Sequence, residues 1–181
     1  MKRRDFLKTA AVAGAATAIL PAPAISQNRA EWRMVTAWPK NYPGQGTAAE
    51  RFARRVADVS EGRLSIKVFG AGEIVPAFES FDAVTRGAAD CMHTSPYYWQ
   101  NKSKALNFFS TVPYGMTTTE MNTWMLYGGG QELWDEIYAG FGLKGFHAGS
   151  TGVQMGGWFN KEVKAAADLH GLKMRIPGLR G

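Results

Sequence analysis

The chain has 181 residues, with 21 Lys and Arg against 15 Asp and Glu and a formal net charge of +6. Four of the basic residues and one acidic residue fall in the first 24, so the remainder carries 17 and 14 and a net charge of only +3. It has no clustered Lys/Arg stripe, which argues against nucleic acid as a partner and suits an acidic small molecule. Cys91 is the single cysteine, so no intramolecular disulfide can form and the fold has to rest on its core.

The first residues form a charged head, Lys2, Arg3, Arg4 and Lys8 with Asp5, followed by small and apolar residues from Ala10 to Leu20. An apolar run of about 11 residues is too short to span about 30 Å of hydrocarbon. Ala22-Pro23-Ala24 places signal cleavage after Ala24, and Arg3-Arg4-Asp5-Phe6-Leu7-Lys8 resembles the twin-arginine export signal, with Lys2 where Ser or Thr commonly stands. Residues 1–24 are thus expected to be an export signal peptide and the mature protein to be periplasmic. No cysteine follows the apolar run for lipid attachment.

Trp32 to Trp38 reads as a first strand and Pro39 to Gly46 as a loop. Thr47 to Ser60 sets Ala49, Phe52, Ala53, Val56 and Val59 at helical spacing and ends at Gly62. Leu64, Ile66 and Val68 alternate as a second strand before Gly70-Ala71-Gly72. Pro76 opens a helix with Phe78, Phe81, Val84 and Ala88 turned inward, and Ala89 to Met92 is a third strand. Strand and helix alternating in this way predict an α/β fold with parallel strands and helices on the sheet faces. Beyond it, Thr117 to Tyr127 and Gln131 to Tyr138 read as helices separated by Gly128-Gly129-Gly130, with Met121, Trp124 and Met125 as core. Leu143 to His147 and Val153 to Phe159 read as strands, and Lys161 to Leu169 as a short helix or turn. The chain ends on a strand and turn, Ile176 to Gly181, which suggests a fragment.

In such open sheets ligands sit at the carboxyl ends of strands. That singles out Trp38 to Tyr42, the aromatic run Tyr97-Tyr98-Trp99, and the loops around Gln154 and Arg175. Arg175, between Met174 and Ile176, is a donor-only planar fork matched to a carboxylate. Its partner is either an internal Asp or Glu or an acidic ligand. Phosphate-binding and dinucleotide loops are absent, as are a nucleophile elbow and a carboxylate pair placed for acid and base work. Cys91 and His93, two apart on a strand, are too few for a zinc site, and nothing marks Cys91 as a thiolate. The chain offers binding groups without catalytic ones.

The segments RRDFLK, FGAGEIVPAFESFDAVTRGAADCMHTSPYYW, GSTGVQMGGWFNKEV and GLKMRIPG together resemble the substrate-binding proteins of tripartite ATP-independent periplasmic (TRAP) transporters, in the branch that binds 2-oxoacids. The resemblance implies a two-lobed α/β periplasmic-binding-protein architecture, type II-like, of roughly twice this length. Residues 25–150 would then hold the first lobe, and residues 151–181 the crossing segment and the start of the second. It further implies a non-enzymatic receptor for a small monocarboxylate, a 2-oxoacid such as pyruvate or a 2-hydroxyacid, which hands its ligand to TRAP membrane permease subunits and can form a homodimer. Arg175 matches the arginine that bridges the carboxylate. Gln154 matches the glutamine that contacts both substrate and a bound sodium or calcium ion, while Tyr97 and Tyr98 fall in the family's aromatic loop. Two alternatives remain: a carboxylate receptor serving a sensor kinase, and an exported enzyme using Cys91 or His93.

Overall fold

A computed structural model describes residues 29–110 and 112–175; the leader with its cleavage point and the expected Ile176–Gly181 strand and turn lie outside the described residues. Strands β1 (Ala30–Thr36), β2 (Leu64–Phe69) and β3 (Cys91–His93) alternate with helices α1 (Gln45–Val59) and α2 (Ser80–Thr85). They form one parallel sheet in the order β2-β1-β3, with Met34 opposite both Val68 and Cys91.

Side chains alternate across a strand, so the buried end of the central β1, Met34 to Thr36, packs on both faces. Met34 packs with Val68 against Ala49 and Ala53 of α1, small residues that let the helix approach closely. Val35, on the opposite face, meets Ala83 of α2 and Ala89. A helix therefore covers each face, as the alternating pattern predicts.

The largest core lies beyond the sheet. Phe81 is 1% exposed and Leu106 fully buried, and Trp99, Phe109, Met125, Trp134 and Tyr138 close around them. Helices α3 (Thr118–Tyr127) and α4 (Gly130–Ala139) supply the last three of these. The start of α3 is set by a reciprocal cap: the Glu120 amide donates to the Thr117 hydroxyl, and the Glu120 carboxylate accepts from the Thr117 amide at 2.7 Å. Gly129, at φ +84°, makes the left-handed break between the helices. Phe109 is stacked between Trp124 and Trp134, with ring centroids 5.5 and 5.4 Å away. Among the described residues no helix is long and apolar enough to cross a membrane.

The structure corrects the sequence reading in two places. Phe78 is 66% exposed and Ala88 is exposed, whereas Ser80, Phe81, Ala83 and Ala89 are buried. The reason is a 3-10 turn, Ala77–Glu79, between Pro76 and α2. Its three residues per turn shift the phase from that of a continuous α-helix. The helix then stops at Thr85, and Gly87 at φ +74° turns the chain, so Ala88 is not on it. Leu143 to His147 and Val153 to Phe159 are not strands. A strand forms only where a neighbour takes up its N–H and C=O groups, and none of the described strands lies beside them.

Candidate functional site

The aromatic run follows β3 directly as a 3-10 turn, Pro96–Trp99. Trp99 is its anchor: the ring is 2% exposed and its indole N–H donates to the Phe78 carbonyl at 3.3 Å. With Trp99 turned inward, Tyr97 and Tyr98 remain only partly buried, their rings 4.5 Å apart. Arg175 reaches this turn from 78 residues away, one guanidinium nitrogen lying 3.5 Å from the Tyr97 hydroxyl. That distance exceeds the usual range of about 2.7–3.2 Å for N–H···O bonds, so the fork is not committed to Tyr97.

The ion pairs among the described residues join Arg33 to Asp90, Lys102 to Asp82, Lys144 to Asp135 and Lys164 to Glu162. None involves Arg175, so no described carboxylate occupies its fork. Gln154 and Arg175 line one open hollow of about 1070 Å³, together with Trp158, Phe159 and Met174. The Gln154 amide nitrogen donates to the Thr151 hydroxyl at 3.1 Å, which turns none of the amide oxygen's capacity inward. Tyr97 thus lies beside both Tyr98 and Arg175, and Gln154 lines the same hollow as Arg175.

Two further groups stand beside the tyrosines: Trp38, whose loop the strand-end rule singles out without giving the residue a role, and His93, which the sequence offers only to the enzyme alternative. Trp38, just beyond β1, has its ring 6.5 Å from Tyr98 and 5.2 Å from His93. Both lie at carboxyl ends of adjacent strands, so the position rule pointed at them, but no motif marked either. Burial pushes the Tyr98 phenol up to about 12, helped by the Tyr97 hydroxyl beside it; the Arg175 charge and the Trp38 indole act in the opposite sense. Burial also lowers the His93 imidazole from its ordinary value, against a hydrogen bond with the Gln45 backbone. His93 is therefore neutral at pH 7.

Cys91 does not have the environment of a nucleophile. Burial, and then the Asp90 charge, push its thiol up to about 11, so it is protonated at neutral pH. Among the described residues no group of three or more His, Cys, Asp or Glu could hold a metal ion.

Residues 34–180 match the family described as bacterial extracellular solute-binding protein, family 7. The chain belongs to that family. Residues 1–19 match the twin-arginine translocation signal, so the protein is exported to the periplasm. A monocarboxylate 2-oxoacid-binding periplasmic protein of Nostoc sp. is 47% identical, the match covering 100% of this chain and 51% of that relative. A TRAP periplasmic solute-binding protein of Pseudoalteromonas atlantica, solved with sodium and pyruvate, is 45% identical with a TM-score of 0.80 over 83% of this chain and 46% of its own. One from Colwellia psychrerythraea, with calcium and pyruvate, is 41% identical at the same TM-score and the same coverage. A third, from Bordetella bronchiseptica, is described as a mixed-occupancy dimer with calcium and picolinate, at 37% identity and TM-score 0.79 over 83% of this chain and 45% of its own. The chain thus spans about half the length of the relatives it matches. The family and these relatives are solute-binding proteins, and the resemblance read from the sequence is borne out.

Proposed function

We propose that this chain is the carboxylate-gripping part of a periplasmic TRAP receptor for a small 2-oxoacid or 2-hydroxyacid, and that it works by binding without turnover. The observation that carries this reading is the Arg175 guanidinium, which has no carboxylate partner among the described residues and stands over the Tyr97 and Tyr98 turn. A cation in a partly apolar hollow is stable only beside water or an anion, and a planar fork fixes a carboxylate with two charge-assisted bonds. Tyr97 would hold the fork's orientation and Tyr98 would shield the bond from water.

Sodium and calcium take oxygen ligands, and the Gln154 amide oxygen is of that kind. Its own hydrogen bond uses the nitrogen, so the residue fits one position of such a site, and the other ligands would come from the substrate and from further chain. A bound cation would add charge beside the two oxygens that a 2-oxoacid offers, which favours ligands able to chelate. Delivery to membrane permease subunits would follow closure of a second lobe, which the ligand drives only through contacts made to both lobes.

The test is thermal unfolding of the full-length gene product with pyruvate, 2-oxobutyrate, lactate, succinate and a sugar, each with and without sodium or calcium. A ligand that binds only the folded state raises the midpoint by mass action, by about 2.7 kcal/mol of stability at a hundredfold excess over Kd. A cation-dependent rise with 2-oxoacids is expected. No rise with any carboxylate sinks the reading.

A further inference from the structure

We propose that Trp38 is a specificity-determining residue of this site, a rigid wall that limits the length of the ligand's apolar tail; the inference rests on the carboxylate-receptor reading above. The first support is position. The Tyr98 ring neighbours both Tyr97, which reaches Arg175, and Trp38, its ring centroid 6.5 Å away. A small ligand whose carboxylate meets Arg175 and whose body lies along the Tyr98 ring has its far end directed at the indole.

The second support is rigidity. Trp38 follows β1, yet its backbone carbonyl is held by two hydrogen bonds. Its carbonyl accepts from the Thr36 hydroxyl at 2.6 Å and from the Ala71 amide at 2.9 Å, and the preceding Ala37 amide donates to the His93 carbonyl at 3.2 Å. Thr36 is 2% exposed, so its hydroxyl needs this partner. The neighbouring loop presses in as well: a Cβ at Gly70 would lie 2.6 Å from the Lys40 backbone nitrogen, so only glycine allows the two loops to approach this closely. The His93 imidazole, 5.2 Å from the indole and neutral, backs the ring without adding charge.

A wall held in this way cannot retreat from a longer tail, and an indole face favours apolar atoms over a second carboxylate. The arrangement therefore selects short monocarboxylates and rejects long ones by contact, while Arg175 supplies affinity common to both.

Calorimetric dissociation constants of the full-length protein for pyruvate, 2-oxobutyrate and 4-methyl-2-oxopentanoate, compared with those of Trp38→Ala and Trp38→Phe, decide the matter. Trp38→Ala is expected to move the pyruvate-to-4-methyl-2-oxopentanoate ratio at least about tenfold toward the longer acid. Trp38→Phe should move it at least about threefold in the same direction. If Trp38→Ala does not fold, as judged by circular dichroism, the Trp38→Phe ratio decides alone. Ratios within about twofold of the wild type, with all three ligands weakened equally or not at all, overturn the inference and leave carboxylate binding intact. A wild type that binds none of the three refutes the carboxylate reading itself, and the inference falls with it.

Discussion

Replacing Arg175 by alanine removes the fork and creates no compensating contact. The guanidinium is exposed, has no described ion pair, and touches the Tyr97 hydroxyl only at 3.5 Å. Its worth to a bound carboxylate is therefore nearly the full value of two charge-assisted hydrogen bonds. Such bonds contribute about 1.5–3 kcal/mol each, and the exposure of the site argues for the lower figure. Two of them total about 3 kcal/mol, a loss of roughly 150-fold in affinity. Arg175→Lys keeps the charge but loses the planar geometry and one prong, which predicts a loss of about tenfold. Titration calorimetry of the full-length protein with pyruvate reads both numbers. Thermal midpoints without ligand should stay close to wild type, since an exposed side chain outside any network changes stability by no more than about 0.5 kcal/mol. An Arg175→Ala protein that keeps its affinity within about tenfold would show that the carboxylate is held elsewhere.

Three further outcomes follow from the packing and the titratable groups. Phe81 is 1% exposed and meets Phe141 and Trp99 at 5.2 and 5.5 Å, so Phe81→Ala should lose about 3–5 kcal/mol in urea unfolding; a loss under about 1.5 kcal/mol would contradict its place at the centre of the core. Cys91, its thiol pushed up to about 11, should react with iodoacetamide at pH 8 far more slowly in the native than in the unfolded protein, and equal rates would disprove its burial. For His93 the folded pKa lies below the unfolded value of 6.5, so between the two the unfolded chain holds the extra proton. Its contribution to stability is complete above pH 6.5 and is lost as the pH falls through that window toward the folded value. Thermal midpoints of wild type and His93→Gln measured from pH 7.5 to 5 should diverge in slope just below 6.5, and parallel curves would rule the linkage out.

The parts of the fold legible in the sequence are those whose partners are close in the chain. The α1 amphipathic spacing, the alternation of Leu64, Ile66 and Val68, the Thr117 to Tyr127 helix and the glycine break before α4 are local patterns, and each element formed within two residues of its expected bounds. The failures have physical causes as particular as the successes. One 3-10 turn after Pro76 rephased a helix face and left Phe78 outside. Val153 to Phe159 has the composition of a strand and lacks a neighbour to bond with among the described residues.

The candidate site divides in the same way. A donor-only guanidinium in an apolar segment and an aromatic run behind a strand are chemical facts of the sequence, and they suffice to nominate Arg175, Tyr97 and Tyr98. Sequence alone also establishes the export leader, because a receptor reads that address from the residues themselves. It could not decide whether Arg175 is paired internally, nor that Trp38 and His93 stand beside the tyrosines. Contacts across 78 residues depend on how strands are ordered in the sheet and on where three separate loops converge. Charge pairing is a property of distance, and distance between remote residues exists only once the chain has folded.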